Sequence, residues 1–113
     1  MTIPCYAVGH LRNVEMGSGI IAYLEAIDAT LAPFNGHFII HGGTKHMLEG
    51  DFTDDLIVIA FPDLESAQNW YASSNYQDIK ALRSRNAEGE VFLIEGVDRD
   101  HRATDILRPR KHR

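Results

Sequence analysis

The chain has 113 residues, 44% of them hydrophobic and 24% charged, with a formal net charge of -5. That excludes a disordered polyelectrolyte and predicts one domain that buries roughly two-thirds of the surface its unfolded chain exposes. The longest unbroken apolar run, Leu56 to Phe61, is far short of the roughly 20 residues a membrane span needs, so no membrane partner is expected.

In chain order, residues 5–12 read as a first strand, with Gly9 marking a bulge or a close approach. Cys5, the single cysteine, excludes an internal disulfide and reads as a small apolar core residue. Ile20, Leu24, Ile27, Leu31 and Phe34 follow at spacings of four and three, the period of one helical face, with Ser18 as the expected N-cap. Residues 37–42 read as a second strand, bent at Gly42 and Gly43 before an extended stretch from Lys45 to Glu49. Leu56 to Phe61 is apolar at every position, as expected of a strand covered on both faces. Helices cover only one face of so small a sheet, and a second copy of the chain is the simplest cover for the other.

Asp63 is placed to cap the next helix, with Ala67, Trp70 and Tyr71 on its apolar side. Ser73-Ser74-Asn75 interrupts it, and Ser74 with Gln77 has the form of a capping box that restarts a helix through Arg83. Val91 to Ile94 is the last strand. The order strand, helix, strand, strand, helix, strand predicts an α+β fold, a ferredoxin-like βαββαβ sandwich with an antiparallel sheet spanning residues 1–97. Residues 98–113 form a tail with six Lys or Arg against three Asp, so the tail is basic and the body acidic.

Gly36 to Gly43 with Leu48-Glu49-Gly50, Ile59 to Asp63, and Trp70 to Ser73 running into Tyr76 to Arg83 together resemble the domain-of-unknown-function 1330 family. The resemblance covers roughly residues 5–97 and implies the dimeric α/β barrel arrangement, hence a homodimer. The family usually has Arg where this chain has His37 or His41, and Asp-Pro where it has Met16-Gly17-Ser18. The superfamily includes cofactor-independent monooxygenases, haem-degrading enzymes, lactone isomerases and ligand-sensing domains, and fold alone does not choose among them.

His37 and His41 lie four apart on the second strand, so a regular strand sends both to one face, with Cα atoms roughly 13 Å apart. That is too far for both to bind one metal, and no metal site is assigned. His41 is the candidate acid or base near neutral pH, with Tyr76 as its catalytic companion. His37, Glu49, Trp70 and Arg83 are the candidate substrate-binding residues. Tyr76 and Arg83 share a helical face two turns apart, and Arg suits a carboxylate. Their preference as a pocket pair comes from the family pattern.

Haem chemistry is disfavoured because residues 63–84 hold no histidine, and no cofactor is expected. Nucleic acid is disfavoured because the third strand offers aliphatic side chains instead of stacking aromatics, on an acidic body. The start of the chain lacks a basic n-region and an apolar h-region, so a cytoplasmic protein is expected. Three readings remain: a cofactor-independent enzyme on a small carbonyl or phenolic metabolite, a ligand-binding module without chemistry, and a dimerising adaptor with the tail as its contact arm.

Overall fold

The structure, a computed structural model, describes residues 2–108. Strand β1 (Cys5–Arg12) leads to helix α1 (Ser18–Leu31), extended by a short 3-10 turn over Ala32–Phe34, and then to the antiparallel strands β2 (His37–His41) and β3 (Asp55–Phe61). Helices α2 (Leu64–Ala72) and α3 (Ser74–Ser84) precede β4 (Glu88–Glu95), and a 3-10 turn follows at Ala103–Leu107. The strands form one antiparallel sheet in the order β2-β3-β1-β4, with Tyr6 opposite both Ala60 and Ile94. This is the expected ferredoxin-like α+β sandwich.

Alternation assigns each residue of the sheet to a face. Cys5, Ala7, Ile59 and Phe61 meet Tyr23, Ile27, Ala67, Trp70 and Tyr76 in the core, so all three helices cover that one face. The other face carries Tyr6, Val8, Val58, Phe92 and Ile94, and Phe92 and Ile94 are exposed. Among the described residues the helices therefore cover the apolar run of β3 on one side only, and on the other Val58 and Ala60 stay partly exposed.

Local details depart from expectation where tertiary contacts decide them. A β-bulge between Phe38 and Ile40 sets His37 opposite Ala60 but His41 opposite Ile57. The two histidines consequently project from opposite faces, which corrects the expectation of a shared one. Lys45 to Glu49 is irregular loop, because its backbone finds no strand partner. Helix α1 is capped by Gly17 without a side-chain bond, and Ser18 is already helical. On its buried side Tyr23 and Thr30 join Ile20, Ile27 and Leu31, while Leu24 is pushed to the margin. Helix α3 is capped by Ser73, whose hydroxyl accepts the Tyr76 amide at 3.2 Å. The expected cap, Ser74, lies inside the helix, and the Gln77 side chain donates to the Tyr71 carbonyl instead.

Asp63 caps α2 as expected, its Oδ1 accepting the Ser66 amide at 2.8 Å. Ser66, through its backbone N–H first and its hydroxyl second, holds the Asp63 carboxyl below the usual carboxylate range. A depressed carboxyl stabilises the fold above its unfolded pKa, and the benefit disappears as pH falls through the folded value. Asp63→Ala is thus expected to lower the melting temperature at neutral pH, by an amount that shrinks below about pH 4. Thermal melts of both proteins across that range check it.

Cys5 is fully buried, and burial first, then the Glu95 charge, pushes its thiol up, so it is a core group and not a nucleophile. In the tail, Ile106 and Leu107 are exposed and do not anchor on the body of their own chain. Residues 109–113 of the expected basic tail lie outside the described residues.

Candidate functional site

A cavity of about 280 Å³ opens between the helix-bearing face of the sheet and the helices. Its sheet side is Ala7, Gly9, Leu11, Phe38, Ile57 and Ile59, arranged by the register that sets Ala7 against Ile59 and Gly9 against Ile57. Gly9 matters here because its missing side chain is empty space: a Cβ there would meet nothing nearer than Ile57 Cβ at 3.8 Å. Helix α1 supplies Ile20, Tyr23, Leu24 and Ile27, and α2 and α3 supply Trp70, Tyr76 and Arg83.

The polar part of this largely apolar pocket is a small cluster. The Tyr23 and Tyr76 hydroxyls hydrogen-bond to each other at 2.9 Å, one donating and the other accepting. Arg83 lies beside both, and its buried Nε has no hydrogen-bond partner among the described residues. Burial, reinforced by Tyr76 and opposed by Arg83, pushes the Tyr23 phenol far above its ordinary value. Burial also works against the Arg83 charge, but the Tyr76 and Tyr23 oxygens outweigh it and the guanidinium stays charged. The cluster presents neutral phenols beside a cation, a donor set suited to an oxyanion. Trp70 takes no part in it: its Nε1 donates to Thr30 Oγ1 at 2.9 Å, and Thr30 donates to the Ile27 carbonyl at 2.7 Å.

The bulge in β2 brings His41 to the pocket, where it lines the wall stacked on Phe38 with ring centroids 4.5 Å apart. Of the residues expected from sequence, His41, Trp70, Tyr76 and Arg83 come together on this one cavity. His37 is on the opposite face of the sheet, and Glu49 is exposed in the loop between β2 and β3; neither lines the pocket. Tyr23 is the residue that sequence reasoning missed. The sequence holds a signal for it: Tyr23 stands three residues after Ile20 and four before Ile27, on the flank of the stripe that runs through Leu24.

A second polar group lies across the sheet. His10 Nε2 meets Asp54 at 2.8 Å, its Nδ1 lies 3.3 Å from Glu90, and Arg12 grips Glu90 with two hydrogen bonds of 2.8 and 3.1 Å. Among the described residues no group of three or more His, Cys, Asp or Glu is arranged to hold a metal ion. No helix there is long and apolar enough to cross a membrane.

Such an antiparallel sheet, with helices on one face and a pocket between the layers, defines a ferredoxin-like α+β protein. The sequence matches the family described as Domain of unknown function (DUF1330) over residues 4–97, and the chain belongs to that family. Among solved structures it is similar to a protein of unknown function from Rhodopseudomonas palustris, at 13% identity and a TM-score of 0.62, over 87% of this chain and 85% of the other. It is also similar to a dimeric ferredoxin-like protein of unknown function from Thermobifida fusca, at 11% identity and a TM-score of 0.56, over 84% and 92% of the two chains. SnoaB, a cofactor-independent oxygenase from Streptomyces nogalater, shares 12% identity and a TM-score of 0.50 over 85% and 93%. At these identities the likeness concerns the fold. No curated protein matches the sequence.

Proposed function

We propose that the protein is a homodimeric enzyme that binds a small carbonyl-containing or phenolic metabolite in this pocket and transforms it without a cofactor. The observation that carries the reading is the donor cluster of Tyr23, Tyr76 and Arg83 in the same apolar cavity as the titratable His41. The chemistry such a set serves is proton transfer next to a carbonyl. His41 removes a proton from carbon, the tyrosine hydroxyl and the guanidinium orient the substrate through its oxygen atoms, and return of the proton to another carbon completes an isomerisation. The pair of chains is supported by the uncovered apolar sheet face and by a fold shared with a dimeric protein. His37, on that face, would then belong to the contact between copies.

Binding without turnover is a second reading, favoured by one observation: no hydrogen bond fixes the His41 ring among the described residues, whereas a dedicated base usually has its tautomer set. Native mass spectrometry of the purified protein, followed by assay of whatever metabolite it retains, separates the two. The enzyme reading expects a dimer, a retained small molecule and a product whose formation falls by about 100-fold or more in His41→Ala. Unchanged turnover in His41→Ala and Tyr76→Phe removes the catalytic roles, and a monomer removes the dimer.

A further inference from the structure

The polar atoms of the cavity do not balance, and the imbalance points to a ligand class. Thr30 is satisfied twice, accepting from Trp70 and donating to Ile27, so neither it nor the indole is available to a ligand. Of the two tyrosine hydroxyl protons, one is spent between the rings, and the other has no protein acceptor among the described residues. Arg83 makes no ion pair there, and its Nε is buried and unpartnered. The one acidic side chain on the lining, Asp55, sits exposed at the start of β3. The cavity is thus left with a half-buried cation that no carboxylate neutralises among the described residues and an unused hydroxyl proton, and a charge held partly out of water without a counter-ion is costly. What completes it is a planar pair of oxygens sharing one negative charge, the shape a guanidinium fork matches.

The remainder of the wall sets the body of that ligand. Ala7, Ile27, Ile57 and Ile59 offer no hydrogen bonds, and Tyr23, Phe38, Trp70 and Tyr76 offer ring edges and faces. A volume of about 280 Å³ is the space of about nine waters, enough for on the order of ten non-hydrogen atoms. We infer that the pocket takes a compact aromatic monocarboxylate, its carboxylate held by Arg83 and the free tyrosine proton and its ring laid against the Ala7, Gly9 and Ile59 floor. This rests on the pocket reading above and adds the charge and size of the molecule. The carboxylate is the anchoring group, and the carbonyl or phenol on which His41 acts is a separate substituent.

Calorimetric titration with benzoate and its neutral isostere benzamide tests it, using the wild type, Arg83→Met, Arg83→Lys and Gly9→Val. Benzoate is expected to bind about 10- to 100-fold more tightly than benzamide, the range for a charge-assisted hydrogen-bond pair. Arg83→Met should remove that preference while leaving benzamide nearly unchanged, and Arg83→Lys should restore part of it. Gly9→Val, which fills the floor, should abolish binding of both, with circular dichroism confirming that each variant is folded. Equal affinity for the two probes, or an Arg83→Met variant that weakens both alike, overturns the carboxylate inference and leaves the pocket reading intact. Failure of both probes on the wild type overturns the inference, and the pocket reading falls with it only if native mass spectrometry finds no retained small molecule.

Discussion

Replacing Trp70 by alanine is expected to destabilise the fold by about 3–5 kcal/mol, the range for removing a buried large aromatic side chain. Trp70 is 2% exposed and is the hub of the aromatic core, its ring centroid 4.3 Å from that of Tyr76 and 5.3 Å from that of Phe61. The truncation also takes the donor from Thr30, whose oxygen has no other hydrogen donor among the described residues. Trp70→Phe keeps most of the ring and loses only that bond, and a smaller loss of about 1–2 kcal/mol is expected. For a domain of this length the alanine variant should melt about 12 °C or more below the wild type. Urea titration of the three proteins measures the order. An alanine variant within 1 kcal/mol of the wild type, about the typical size of a point-mutation effect, would show that this aromatic cluster does not carry the core.

Gly89→Ala is the second large effect, and its cause is backbone geometry. Gly89, the second residue of β4, has φ +140°, a region that L-residues rarely enter, and an added Cβ would collide with the His10 carbonyl oxygen while standing 3.0 Å from Leu11 Cα. Neither obstacle is a flexible side chain. The end of the β1–β4 ladder must therefore open, at a cost of about 3 kcal/mol or more. Nearby, Arg12 and His10 lose their setting against Glu90, and Val91 is drawn off the pocket wall. Gly9, in the middle of β1 on the same face, gives the opposite result. Its added methyl meets only ordinary contacts, so Gly9→Ala should be neutral or stabilising by about 0.5–1 kcal/mol. Chemical denaturation of the pair reads the contrast directly, and a Gly89→Ala protein as stable as the wild type would rule out the backbone clash.

The polar cluster and the core are built from the same residues, which limits what the site can tolerate. Tyr76 is 1% exposed and supplies both a core ring and a pocket hydroxyl, whereas Arg83 belongs to the wall without belonging to the core. Substitutions at Arg83 consequently report on binding with less disturbance of the fold than substitutions at Tyr76.

The order of elements was legible in the sequence because it rests on local pattern: the apolar and aromatic composition of residues 5–12, the helical spacing from Ile20 to Leu31, the unbroken apolar run of β3, and Asp63 as a cap. The pairing of Tyr76 with Arg83 on the cavity was legible through a family pattern, since their spacing on one helix carries no information about the α1 residues facing them. Tertiary structure alone decided the rest. The β2 bulge is set by pairing with β3, and nothing in His37-Phe38-Ile39-Ile40-His41 marks the residue that falls out of register; that one slip sends His41 to the pocket and His37 to the uncovered sheet face. Tyr23 takes the core place beside Leu24, its hydroxyl finding Tyr76 across 53 positions of chain, and the Arg83 Nε next to them is left without an acceptor among the described residues. Periodicity fixes which residues share an element, but charge and hydrogen-bond balance at a site depend on which elements meet.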